Sequence, residues 1–142
     1  VSPDIAFFGE KDLQQLIIIK YISKELDLKI VSVPTVREKN GIALSSRNIN
    51  LTKDSFKSAT IIFESLCYCR DHINKYDIVT LKNKVKKLFE SSKLNLEYLE
   101  FVSMKTMHPV DVICDNLAIC IAATTENVRL IDNIIINAEE TN

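Results

Sequence analysis

Residues 4–33 place the tightest constraint on the fold. Asp4-Ile5-Ala6-Phe7-Phe8 is a short β-rich apolar run that stops at Gly9. Helix formers begin at Asp12, with apolar residues at Leu13, Leu16, Ile17, Ile22 and Leu26, and Lys29 to Val33 is again rich in β-branched residues until Pro34. Strand, glycine turn, helix and second strand in so short a span predict a parallel, right-handed βαβ unit, a piece of an open α/β sheet. The unbroken apolar stretch Leu16 to Ile19 predicts a helix covered on more than one side, as a doubly wound domain would provide.

After Pro34 the pattern changes. Asn40-Gly41 tolerates the positive φ angles of a tight turn and predicts a hairpin over Val36 to Ser45. Thr52 can cap a helix with the stripe Phe56, Ala59, Phe63, Leu66 and Ile73, and a second helix follows with Leu81, Val85, Leu88 and Phe89 on one face. Leu96 to Val102, Leu117 to Ala123 and Val128 to Ile136 are β-branched runs separated by turn residues, which predict a three-stranded antiparallel sheet packed on the two helices. The expected organisation is an α/β piece over residues 1–35, then a small α+β domain over residues 36–142.

The chain has 142 residues, 46% of them hydrophobic and 26% charged, with a formal net charge of -1. That balance excludes a disordered chain and gives no basic excess to track DNA or RNA. Lys20 ends the longest dense apolar stretch, far short of the roughly 20 residues of a membrane span. Cys67, Cys69, Cys114 and Cys120 lack metal-ligand spacing and are expected to be small buried thiols in a reducing cytoplasm. The opening Val1-Ser2-Pro3-Asp4 reads as the start of a piece cut from a longer protein, whose N-terminal half is absent.

Two segments carry chemistry. Gly9-Glu10-Lys11-Asp12, with Gln14 and Gln15 behind it, falls where a strand ends and a helix begins, the edge at which open α/β sheets bind ligands. Backbone N–H groups at the helix start and the charge of Lys11 suit phosphate oxygens. The plain alternative is a helix entry with a solvated lysine. Ala43-Leu44-Ser45-Ser46-Arg47-Asn48 presents two hydroxyls, an amide and the planar fork of Arg47, also suited to phosphate, or else forms a polar surface loop. His72 at a helix end and His108 before Pro109 are read as structural, and Glu139-Glu140 as solvated.

The run Phe-Gly-Glu-Lys-Asp-x-Gln-Gln, then Val-Pro-Thr-Val-Arg-Glu-x-x-Gly-x-Ala-Leu-Ser-Ser-Arg-Asn, then Arg129-Leu130-Ile131-Asp132-Asn133, resembles the pantothenate synthetase family over nearly the whole chain. The resemblance implies a Rossmann-like nucleotidyltransferase domain related to class I aminoacyl-tRNA synthetases. It implies ATP-dependent joining of pantoate to β-alanine through a pantoyl adenylate, with release of pyrophosphate and then AMP. On this resemblance Gly9, Glu10, Lys11 and Asp12 bind ATP, with Lys11 on the phosphates. Gln15 holds pantoate, Val36 meets adenine through its backbone, and Leu44, Ser45, Ser46 and Arg47 form a KMSKS-type loop; Lys11 and Arg47 are the expected catalytic pair. The family's Mg²⁺ ligand belongs to the preceding half, so no metal ligand is expected here. The intact enzyme is expected to be a homodimer and this piece inactive alone, with a non-catalytic lid domain or another adenylate-forming enzyme as alternatives. Glu126 stands where the family usually has Gly, a departure that bears on the turn there.

Overall fold

The computed structural model describes residues 3–136. It divides into two compact units, Val1–Val36 and Arg37–Asn142.

In the first unit, strand β1 (Ile5–Gly9) pairs in parallel with β2 (Lys29–Val33), in register from Ile5↔Lys29 to Gly9↔Val33. Helix α1 (Leu13–Ile22) and a 3-10 turn (Ser23–Glu25) form the crossover. The expected βαβ connectivity is therefore present. Leu13 and Leu16 are buried, while Ile18, Tyr21 and Ile22 are exposed. Within this unit the helix is covered on one side, not on several, because two strands offer a single small face. Leu26, expected on the helix stripe, lies beyond the helix and is exposed, just before Asp27 turns the chain at φ 48. Lys20 Nζ donates to Ser32 Oγ at 2.5 Å, tying the last turn of α1 to β2.

The second unit opens with a hairpin shorter than expected. Arg37 and Ala43 form a single antiparallel bridge, closed by Glu38 N–H to Ile42 O at 2.8 Å and Gly41 N–H to Glu38 O at 2.9 Å. Gly41 alone takes positive φ, at 89°, and a Cβ there would strike the Phe63 ring. This is a three-residue loop with glycine in the left-handed position, in line with the tight turn expected at Asn40-Gly41. A 3-10 turn, Ser46–Asn50, follows.

The predicted first helix is two: α2 (Lys53–Ser58) and α3 (Thr60–His72), joined at Ala59. Thr52 caps α2 as expected, its Oγ1 accepting from Ser55 N–H at 3.2 Å. Helix α4 (Ile78–Glu90) is capped by Asp77, which accepts from Thr80 N–H at 2.7 Å. Its buried face is Ile78, Leu81, Val85 and Phe89, at helical spacing. Leu88, expected on that face, is exposed, since it lies one residue off the stripe.

Strands β3 (Asn95–Ser103), β4 (Leu117–Thr125) and β5 (Val128–Ile136) form an antiparallel sheet in that order. Helix α3 packs on β4 and β5, and α4 on β3. Leu66, Leu81, Val85, Phe101, Leu117, Ile119 and Ile121 form the centre of the core, each essentially inaccessible to water. Strand β4 is buried on both faces, which explains why Leu117 to Ala123 reads as a continuous apolar run instead of an alternating one.

Candidate functional site

Gly9 ends β1, and nothing lies within 4 Å of where its Cβ would be, so the backbone is open to close approach. Glu10 N–H donates to Val33 O at 2.9 Å, which fixes the turn off the strand. Lys11 is half-buried and Asp12 exposed. Asp12 occupies the N-cap of α1 without a side-chain cap bond, and its carbonyl accepts from Leu16 N–H at 3.0 Å. The first-turn N–H groups of α1 have no acceptor within the helix, so this corner carries partial positive charge, with Lys11 two residues before the helix begins. Gln15, one turn further on, is exposed, and so is Val36 at the end of the unit. Gly9, Glu10, Lys11 and Asp12 are thus brought together at the carboxyl end of β1, with Gln15 on the adjoining helix.

Leu44, Ser45, Ser46 and Arg47 form one loop of the second unit. Ser45 caps the 3-10 turn by accepting from Arg47 N–H at 3.2 Å, and Ser45 O accepts from Asn48 N–H at 3.0 Å. Leu44, Ser46 and Arg47 are exposed and Ser45 is half-buried. Asn48 Nδ2 donates to Ala43 O at 3.1 Å, while its Oδ1 is buried with no partner among the described residues. Arg47 Nη1 donates to Arg129 O on β5 at 3.1 Å.

Two residues without a role of their own in the sequence stand behind this loop. Arg37 makes a two-pronged ion pair with Asp132, Nη1 to Oδ2 at 2.5 Å and Nη2 to Oδ1 at 3.0 Å. The same guanidinium donates to Gly41 O at 3.1 Å and Asn133 O at 3.3 Å, and lies 4.0 Å above the Phe63 ring centroid. The Asp132 side chain is 2% exposed and that of Arg37 20%. Their positions inside two of the quoted motifs were the only sequence signal, because no periodicity marks a pairing across 95 residues.

Both histidines and Arg129 have structural partners, whereas Ser65 Oγ on α3 is buried with none among the described residues. His72 Nδ1 lies 2.9 Å from Tyr68 O, with its ring stacked between Tyr68 and Tyr76. His108 O accepts from Ser103 N–H at 3.1 Å in the turn after β3. Arg129 is held by Glu97 at 2.7 Å, and that hydrogen bond raises the guanidinium pKa further. The four cysteines are unpaired, but the expectation that all are buried fails. Cys69 is buried, Cys67 and Cys120 are half-buried, and Cys114, in the long β3–β4 connection, is exposed. Among the described residues no group of three or more His, Cys, Asp or Glu could hold a metal. No helix among them is long and apolar enough to cross a membrane. Glu139 and Glu140 lie outside the described residues.

Fold and site together define a mixed α/β protein with a parallel strand pair and a helix-backed antiparallel sheet, the architecture of solved pantothenate synthetases. That from Thermus thermophilus superposes with a TM-score of 0.88 at 29% identity, covering 96% of this chain and 51% of that one. A Pantoate-beta-alanine ligase from Francisella tularensis, solved with beta-gamma ATP and beta-alanine, gives a TM-score of 0.64 at 30% identity over 94% of this chain and 44% of that one. The pantothenate synthetase of Caldicellulosiruptor saccharolyticus is 40% identical over 141 residues, covering 96% of this chain and 50% of the relative. The family Pantoate-beta-alanine ligase matches residues 1–135. The chain belongs to that family. It spans about half the length of the relatives it matches, and what it matches is their carboxyl-terminal half.

Proposed function

We propose that this chain supplies the carboxyl-terminal half of an ATP-dependent ligase that condenses pantoate with β-alanine. The observation that carries this reading is the family match over residues 1–135, supported by a relative crystallised with beta-gamma ATP and beta-alanine. A pantoate carboxylate oxygen attacks the α-phosphorus of ATP and pyrophosphate leaves. The β-alanine nitrogen then attacks the acyl carbon of the pantoyl adenylate, AMP leaves, and the new amide is pantothenate.

In this reading the chain's own residues bind and orient. Gly9, Glu10, Lys11 and Asp12 receive ATP, with the Lys11 ammonium on phosphate oxygens that gain charge as the α-phosphate is attacked. Gln15 holds pantoate, the backbone of Val36 meets adenine, and Leu44, Ser45, Ser46 and Arg47 close on the triphosphate. Placed donors of this kind act without solvent reorganisation, which is where most of the rate gain in phosphoryl chemistry arises. A divalent cation such as Mg²⁺ would neutralise phosphate charge when bound, and the family resemblance puts its ligand in the amino-terminal half. A cytoplasmic setting and a homodimeric intact enzyme belong to the same proposal. The four unpaired thiols fit a reducing compartment.

The test is pantoate-dependent ATP–pyrophosphate exchange by this chain mixed with a separately made amino-terminal half. Activity should require both parts, and Lys11→Ala should lower the exchange rate by about a hundredfold or more. Exchange by the chain alone would overturn the proposed division of the active site. Near-normal exchange by Lys11→Ala would remove that residue's role.

A further inference from the structure

The segment Arg129 to Asn133 resembles the family motif most distant in sequence from the two ligand-binding candidates, and the reaction leaves it without a task. In the structure its contacts converge on the loop that carries Arg47. Arg129 O accepts from Arg47 Nη1 at the outer edge of the loop. Asp132 and Asn133 O hold Arg37 at its base. Arg37 in turn donates to Gly41 O, which closes the hairpin, and the hairpin's last residue, Ala43, accepts from Asn48 inside the loop. Phe63 fills the space beneath, with the guanidinium over its face and Gly41 against its edge.

The geometry points to the β5 strip 129–133 as the seat that positions the Ser45–Arg47 loop, with Arg37 and Asp132 as its positioning residues. They do not touch substrate. A carboxylate that is almost fully buried and meets both arms of one guanidinium fixes distance and rotation together, because a planar fork accepts only one docking orientation. Arg37 therefore cannot rotate without losing two bonds at once. The hairpin that follows it inherits that orientation, and the loop inherits it from the hairpin. Arg129 performs a second holding task through its backbone carbonyl, while its side chain is bonded to Glu97. The link from this seat to ATP rests on the functional reading above, whereas the seat itself does not.

Hydrogen exchange on the 142-residue chain tests the seat without any turnover. The reporters are the amides of Asn48 and Leu51, which donate to Ser45 O and Asn48 O. In Asp132→Asn, which keeps the shape and removes the charge, these amides should exchange at least tenfold faster. Val85→Ala, a core truncation far from the strip, serves as the control for lost global stability; there the two amides should keep their wild-type rates. Arg37→Lys, which keeps the charge and removes the fork, should reproduce the Asp132→Asn pattern and serves if that variant does not fold. Equal acceleration of the loop in the strip variants and in Val85→Ala, or no acceleration in either strip variant, overturns the seat. In the reconstituted enzyme, Asp132→Asn should raise the KM for ATP about tenfold and leave the KM for pantoate unchanged. An unchanged ATP KM beside accelerated loop exchange overturns the link to ATP, and a wild-type mixture without exchange activity overturns the functional reading while the amide result still decides the seat.

Discussion

Glu126 occupies a position where the backbone favours glycine. With Asn127 it forms the two-residue turn between β4 and β5, at φ 49 and φ 71, both in the left-handed region that a type I′ turn demands. The departure from the family's usual Gly is compatible with the turn because the side chain gains partners: Ser55 and Thr52 hydrogen-bond its carboxylate, Thr52 Oγ1 donating at 3.0 Å. Those bonds, Ser55 first, hold the Glu126 carboxyl below its usual range, with Lys93 adding charge. A depressed acid stabilises the fold fully above its unfolded pKa, about 4.3, and loses that contribution as pH falls through the folded value. Glu126→Gln should therefore reduce the loss of stability on acidification below about pH 4.3, read from urea midpoints across that range; an unchanged pH profile would dismiss the interaction. Cysteine reactivity belongs to the same scale. Burial pushes the Cys69 thiol up to about 12 and that of Cys120 to about 11, whereas Cys114 is exposed. A thiolate-specific reagent should label Cys114 first in the native chain and reach Cys69 only on unfolding; rapid native labelling at Cys69 would contradict the packing of α3.

Among the elements, the hairpin at Arg37–Ala43 has the least tolerance. Gly41→Ala forces a Cβ into the Phe63 ring and a side chain onto positive φ, so two independent costs act on one methyl group. The variant should lose roughly 1–3 kcal/mol, measured by equilibrium unfolding. A wild-type midpoint would mean that the ring moves aside freely. How much of each element could be read in advance follows from where its burial is imprinted. The three strands of the second unit were legible as β-branched runs between turn residues, and the stripe of α4 because a helix face against a core repeats about every 3.6 residues. Leu88 and Leu26 were misplaced because one residue of phase, or one turn of length, separates a covered position from an open one. The junction at Ala59 left no sign, since alanine is an excellent helix former. The two phosphate-binding candidates could be found from local residue types, but their roles were legible only through resemblance. Arg37 and Asp132 were marked only by their places in two motifs, and that they pair was not legible, since pairing across the chain leaves no periodic trace.

At the scale of the molecule, the two units differ in what they bury. The second has a continuous core of three strands and two long helices, whereas the first has two short parallel strands and, among its described residues, buries only Leu13, Leu16 and Ser23. Paired strands with so little apolar cover open locally at low cost. In the full chain the amides of β4 should be the slowest to exchange, and those of β1 and β2 should exchange faster by orders of magnitude. A β1–β2 pair as protected as β4 would show that the first unit is stabilised by more than its own residues.

The order in which a ribosome makes this chain adds a consequence. Arg37 precedes its anchor by 95 residues, so at roughly 5–20 residues per second it waits about 5–20 s for Asp132 to be polymerised. Through that interval the arginine-bearing loop has no template to shape it. Translation that halts before the last strand would yield a product whose helices are already made and whose Ser45–Arg47 loop is not.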